Sequence, residues 1–347
     1  MNELKIIKPD DFHIHFRDNE FLNAVVPETS KYFARGIIMP NLVPPVLNHK
    51  DAKNYKNRIK QAIPKNHEFD PLMTLYLTDN TTKEELKKSY LDNNVFAAKL
   101  YPAGATTNSD SGVTNIDKIM NLLDTMAEIG MPLLIHGETT HIEVDIFDRE
   151  KVFIDNTLDN ICRSFPELKI TLEHITTKEA TNYILEGNSN LAASVTPHHL
   201  ALNRNSIFLG GIRPHLYCLP ILKREKHRQA LLDAVTSDNN EKFFLGTDTA
   251  PHFINDKENS CGCAGIFNAT YCLPIITQIF DNLNALSNLE KFISLNGARH
   301  YEIDKNKSKI ILKKNSKPLT LKNSLKVGGS EVIIFQPNFL VYWDVMI

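Results

Sequence analysis

Short runs of apolar and β-branched residues recur along the chain, separated by stretches whose apolar residues fall three and four positions apart. The runs mark buried strands and the stretches between them amphipathic helices, so their alternation predicts parallel strands joined by crossover helices. Eight strands are expected, at residues 6–15, 36–41, 72–78, 95–101, 132–138, 169–175, 191–196 and 243–248. Continuous apolar segments such as Met131-Pro132-Leu133-Leu134-Ile135 and Lys242-Phe243-Phe244-Leu245 suit strands covered on both faces. Between the fourth and fifth runs, Asn115 stands where a helix cap is needed, ahead of a helical pattern that runs to Leu123.

Eight strand-helix units predict an α/β fold, a closed (β/α)8 TIM barrel spanning residues 1–304. Pro9 interrupts the first run, so an N-terminal extension is expected to meet the barrel near Asp11. Beyond that span the pattern changes. Eight lysines lie between Lys305 and Lys326, followed by the strand-like Glu331-Val332-Ile333-Ile334-Phe335. Residues 305–347 are therefore expected to form a small β-containing appendage packed on the barrel.

Charge narrows the partner. The 39 Lys and Arg against 41 Asp and Glu leave −2, so no strong field draws this chain to nucleic acid or membrane, and a small molecule is the expected partner. The lysine run has no arginines or interleaved aromatics to stack bases, which makes it a solvated face rather than a nucleic-acid patch. No run approaches the roughly 18 apolar residues of a membrane span, and the first five residues lack the apolar core of a signal peptide. A cytoplasmic protein is expected. Its five cysteines are too sparse for a disulfide framework and are expected to be thiols.

In a barrel of this kind the chemistry gathers at the C-terminal strand ends. Polar residues sit there: His13 and His15 end the first run, Lys99 the fourth, His136 the fifth, His174 the sixth and Asp248 the eighth. The two-residue period of His13-Ile14-His15 places both imidazoles on one face, where they can chelate one ion. Taken singly, each histidine is more often a satisfied core residue than a ligand, but their coincidence at four strand ends favours a metal site. Lys99 has two readings. An ammonium has no lone pair for a metal, so it is either paired with a carboxylate or converted by carbon dioxide to a carbamate that binds metal as a carboxylate would.

The ordered motifs Asp11-Phe12-His13-Ile14-His15-Phe16-Arg17-Asp18, Met39-Pro40-Asn41-Leu42, Lys99-Leu100-Tyr101-Pro102, Leu134-Ile135-His136-Gly137-Glu138, Leu172-Glu173-His174, Cys218-Leu219-Pro220, Gly246-Thr247-Asp248-Thr249-Ala250-Pro251-His252 and Cys261-Gly262-Cys263-Ala264-Gly265 are the carriers of a resemblance. Nearly end to end, the chain resembles the amidohydrolase superfamily and, within it, the shorter bacterial dihydroorotases. The resemblance implies two Zn2+ per subunit, His13, His15 and Asp248 on one and His136 and His174 on the other, with carboxylated Lys99 and a hydroxide bridging both. It implies the reversible cyclisation of N-carbamoyl-L-aspartate to L-dihydroorotate in pyrimidine biosynthesis, with Asp248 as general acid and base.

For substrate it implies contacts from His15, Arg17, Asn41, His136 and His252, backbone groups of Leu219 and Ala264, and Thr106 and Thr107 on a mobile lid. A homodimer is implied as well. Cys218, Cys261 and Cys263 are then expected as thiols of the pocket wall. Two rival readings share the barrel: a hydantoinase-like cyclic amide hydrolase, and a silent scaffold. The scaffold would lack ligands, and all six are present. Arg17 separates the enzymes, because a cyclic amide without a carboxylate gives a guanidinium nothing to pair with.

Overall fold

The computed structural model describes residues 2–346, and among these thirteen strands form three sheets. The first strand, β1 (Glu3–Ile7), stands apart from the eight that follow. These are β2 (Asp10–Ile14), β3 (Arg35–Ile38), β4 (Asp70–Tyr76), β5 (Ala97–Leu100), β6 (Leu133–His136), β7 (Ile170–Glu173), β8 (Leu191–Val195) and β9 (Phe243–Leu245). They pair in parallel and in sequence order. The ring closes where His15 N donates to Thr249 O and Asp248 N donates to His13 O, both at 2.9 Å. This is the expected TIM barrel.

The single run expected at 6–15 is divided at Lys8–Pro9 into two strands that belong to different sheets. Proline has no N–H for a ladder, which makes this the natural break. Most of the other strands are shorter than the runs that predicted them, because the last residues of each run leave the ladder to build the barrel mouth. The helix expected from Asn115 opens as a 3-10 turn, Ile116–Ile119, with Asn115 Oδ1 accepting from Asp117 N at 2.9 Å. It continues as the α-helix Met120–Ile129 and stops at Gly130, whose φ of 73° is left-handed.

Inside the barrel, Phe12, Ile37, Ala97, Leu134, Ala192 and Phe244 meet in one apolar layer, with Tyr301 against it. The outward neighbours, among them Ile38, Leu133, Ile135, Leu172 and Ala193, join the larger core under the helices. Because side chains alternate along a strand, the residue two positions after an inward one also points inward, one layer nearer the mouth, except on β2, where the register shifts between Asp11 and Ile14 and Ile14 joins the outer core. Ala97 leads to Lys99, Leu134 to His136, Thr171 to Glu173 and Phe244 to Gly246. Gly246 has no room for a side chain: a Cβ there would lie 3.0 Å from His13 Cβ and 2.9 Å from Ser194 Cβ.

The small sheet draws on both ends of the chain. Strand β10 (Lys309–Lys314) lies antiparallel between β1 and a strand at the C-terminus, while β11 (Ser324–Val327) and β12 (Ser330–Ile333) form a hairpin. That last strand, β13 (Trp343–Met346), buries Trp343, whose Nε1 donates to Asp281 Oδ2 on the helix Cys272–Asn282 at 3.0 Å. A boundary at residue 304 thus leaves β1 on the barrel's side of the division although its ladder partner is β10. No helix among the described residues is long and apolar enough to cross a membrane.

Candidate active site

At the mouth, His13, His15, Arg17, Asn41, Thr106, Thr107, His136, His174, Leu219, Asp248 and Ala264 line one cavity, together with Tyr101, Ala250 and Gly265. Its enclosed space is only ≈ 20 Å³, room for about one water. The two remaining expected residues adjoin it: Lys99 is fully buried beneath the floor, and His252 stands behind Arg17. None of the cysteines expected in the pocket wall lines the cavity. All five cysteines are free thiols.

Backbone strain marks the site. His174 and Asp248 hold φ of 43° and 47°, left-handed values that a residue with a Cβ seldom adopts. At His174 the turn follows directly on the inward-facing Glu173 and brings its imidazole over the mouth, where its ring centroid lies 4.8 Å from that of His136 and 5.0 Å from that of His13.

Hydrogen bonds fix where the imidazole lone pairs point. Asn41 Nδ2 donates to Thr107 O at 2.9 Å, which turns Asn41 Oδ1 toward His15 Nδ1 at 2.8 Å. That oxygen only accepts, so His15 Nδ1 carries the proton and Nε2 the lone pair. His13 Nδ1 lies 2.9 Å from Glu173 Oε1, close although poorly aligned for a hydrogen bond, and by the same reasoning its lone pair is on Nε2. The two Nε2 atoms are 3.0 Å apart, and Asp248 Oδ1 is 3.4 Å from the first and 3.2 Å from the second. Three electron-rich atoms this close repel one another unless positive charge lies among them. A proton serves one pair; a divalent cation serves all three.

A second set faces the first. His136 Nε2 donates to Glu138 Oε2 at 2.8 Å, leaving Nδ1 with its lone pair, and the buried His174 Nδ1 has no partner. Donor atoms of His13, His174 and Asp248 all lie within 4.8 Å of one another. Neutral imidazoles with a carboxylate suit zinc and its neighbours, and outer carboxylates that hold the far ring nitrogens are a recurrent companion of such sites. Burial favours the neutral form of His15 and His174. It drives His15 down to about 4 and lowers His174 well below its usual value, with His136 and His13 adding to the effect at His174.

Lys99 faces a buried carboxylate. Its ammonium is ion-paired with Glu173 Oε2, and both side chains are wholly buried. Burial lowers Lys99 from its usual value while Glu173 pulls it back up. Glu173 stands in a quoted motif with no role of its own, although the step of two from the inward Thr171 points to it. A further buried group, His198, His199 and Cys218, also clusters its donor atoms. His199 is already satisfied there, Nδ1 by Thr196 Oγ1 at 2.7 Å and Nε2 by Pro220 O at 3.0 Å, so it has no lone pair to offer a metal.

Buried neutral imidazoles make the fold sensitive to acid. His15 and His198 are pushed down to about 4 and His300 to about 3, in each case mainly by burial. Below about 6.5 the unfolded chain takes up these protons and the native one does not, so their stabilisation is present above 6.5 and is lost as pH falls toward 4. Asp11, raised to about 7 by burial, works the other way, favouring the native state most below 3.8. Three imidazoles outweigh one carboxyl. Urea titrations of chelator-treated protein are expected to show stability falling between pH 6.5 and 4, by on the order of a few kcal/mol; a flat or rising profile would contradict this.

Residues 6–315 match the profile of the Amidohydrolase family. The chain belongs to that family. A dihydroorotase of Allorhizobium ampelinum is 50% identical over 345 residues, which cover 99% of this chain and 98% of that protein. The crystal structure of dihydroorotase from Campylobacter jejuni superposes with a TM-score of 0.89 at 34% identity, covering 99% of this chain and 97% of that one. Dihydroorotase from Saccharomyces cerevisiae, in complex with 5-fluoroorotic acid, gives 0.92 at 28% identity, over 100% and 99% of the two chains. Within the amidohydrolases, then, this chain is one of the dihydroorotases, a group of cyclic amide hydrolases.

Proposed function

We propose that this enzyme catalyses the reversible cyclisation of N-carbamoyl-L-aspartate to L-dihydroorotate, with loss of water, in pyrimidine biosynthesis. The observation that carries this reading is Arg17. Its Nη1 is shielded from solvent with no acceptor, and Arg17 appears in no ion pair among the described residues. Its Nη2 lies 2.9 Å from His252 Nε2, itself 3.0 Å from Ala264 O. One ring nitrogen cannot accept from the first and donate to the second. A carboxylate placed at Arg17 would take both guanidinium nitrogens, free His252 to donate, and meet the spare N–H of Asn41.

The donor set fits two zinc ions: His13, His15 and Asp248 would hold one and His136 and His174 the other, and Lys99 would serve as a further ligand once its ammonium has lost two protons and Nζ has added carbon dioxide. When bound, such ions polarise the scissile carbonyl and make water a nucleophile at neutral pH. The protein does the rest. Arg17, Asn41 and His252 hold the substrate carboxylate, and backbone groups of Leu219 and Ala264 orient the ring amide. In hydrolysis Asp248 takes the proton from the attacking water and delivers it to the ring nitrogen as the C–N bond breaks.

Thr106 and Thr107 close the site. Thr107 Oγ1 donates to Ala264 O at 3.2 Å and its carbonyl accepts from Asn41, so the segment already covers the cavity. Substrate has to displace it and then draw it back, excluding bulk water. We place the enzyme in the cytoplasm as a homodimer.

Arg17 tests the choice of substrate. Arg17→Met is expected to lower kcat/KM for dihydroorotate by about 30- to 1000-fold, as loss of a buried charge-assisted contact of about 2–4 kcal/mol would. Turnover of dihydrouracil, which has no carboxylate, should change by less than about threefold. Equal losses on both substrates, or a wild-type enzyme that uses them equally well, would favour a hydantoinase-like specificity. Zinc content measured beside dihydroorotate hydrolysis on one preparation tests the metal assignment.

A further inference from the structure

Behind the cavity wall a lysine is buried without a carboxylate. Lys257 ends the short helix Ile254–Lys257 and is 3% exposed. Its ammonium donates to Tyr217 O at 2.8 Å, Cys263 O at 2.7 Å and Gly265 O at 2.8 Å, which uses all three of its N–H groups on backbone carbonyls. Burying a charge in this way costs stability unless every donor is used, and burial does push Lys257 down to about 8.

The three carbonyls are not arbitrary. Cys263 and Gly265 flank Ala264, and Tyr217 lies two residues before Leu219. With the carbonyls on either side turned toward Lys257, Ala264 O faces the opposite way, into the cavity, where Thr107 Oγ1 and His252 Nε2 meet it. Tyr217 O also accepts from Gly265 N at 3.0 Å, so the segments carrying Leu219 and Ala264 are joined at one atom. The loop would close without the lysine, because Cys263 N donates to Asp256 O at 2.9 Å. What the ammonium adds is direction. At Gly265, with φ of 156°, a Cβ would lie 2.6 Å from Ala250 O, so the segment has little freedom to reach the same geometry another way.

We infer that Lys257 is a positioning residue for substrate, an internal clamp that aims the backbone groups of Ala264 and Leu219 at the ring amide without touching it. This rests on the function proposed above. Lys257→Met keeps the length and removes the donors; Lys257→Gln keeps some. The expected result is a rise in KM for dihydroorotate of at least ~10-fold in the Met variant and less in the Gln variant, with kcat within about threefold of wild type and zinc content unchanged.

An unchanged KM in the Met variant, or a joint loss of kcat and zinc, would overturn the inference, the second by showing a general collapse of the site. A crystal structure of the Met variant gives a readout free of activity: Ala264 O is expected to turn from the cavity, and retention of its direction would equally overturn the clamp. Should the Met variant fail to fold, the Gln variant takes both measurements. Absence of dihydroorotate turnover by the unsubstituted enzyme would sink the proposed function instead and leave the structural readout to decide Lys257.

Discussion

Asp248→Asn is expected to lower kcat for dihydroorotate hydrolysis by at least about 10³-fold while the protein keeps one zinc or more per chain. The substitution preserves shape. An amide oxygen can still face the His13 and His15 Nε2 atoms from the position Asp248 Oδ1 holds, 3.4 and 3.2 Å away. What it removes is the capacity to take a proton and give it back. Burial by itself would raise the Asp248 carboxyl, yet positive charge among the facing imidazoles, proton or cation, holds it well below the usual carboxylate range, so it is ionised at any working pH. On the proposed mechanism such a group would accept a proton only when the reaction thrusts one on it, and would pass that proton readily to the ring nitrogen. Stopped-flow hydrolysis rates beside zinc content by atomic absorption check this, and a wild-type rate in the variant would assign the base to another residue.

The backbone around Asp248 explains why replacement by other residues is a poorer test. Its left-handed φ is enforced by neighbours on both sides. Asp11 accepts from Thr247 N at 2.8 Å and Thr247 Oγ1 at 2.6 Å, while Asn268 Nδ2 donates to Thr247 O at 2.7 Å. Asparagine tolerates that conformation better than most residues, so the Asn variant isolates the proton transfer from the fold.

Much of this was legible in the sequence for one physical reason. Strands buried on both faces read as apolar runs, and a polar residue that ends such a run has few explanations, so His13, His15, Lys99, His136 and Asp248 stood out. Glu173 did not, because its neighbour His174 already explained the polarity there; only the inward alternation from Thr171 separates the two. Lys257 was hidden for the opposite cause. It lies in a polar segment among Asn255, Asp256 and Glu258, where a lysine looks solvated, and its burial comes with backbone carbonyls that no side-chain pattern records. The sheet joining β1 to β10 and β13 depends on contacts between chain ends, which local periodicity does not report.

Lys99→Ala is expected to reduce zinc to at most one per chain and kcat/KM by about 10³-fold or more, and the manner of its rescue tells the two readings of Lys99 apart. The defect differs between the readings. If Lys99 is a carbamate, the variant removes a metal-binding carboxylate; if it is an ammonium, the variant strands the buried Glu173, whose Oε2 loses its ion-pair partner. The second defect destabilises by about 3–5 kcal/mol, so loss of activity by itself proves little. If Lys99 works as a carbamate, a short carboxylic acid such as acetate or propionate enters the space vacated by the side chain and restores both zinc and part of the rate. If Lys99 works as the ammonium partner of Glu173, a short alkylamine restores activity and the acid does not. Rescue by the amine alone would remove the carbamate from this enzyme and assign its metal binding to the imidazoles, Asp248 and Glu173.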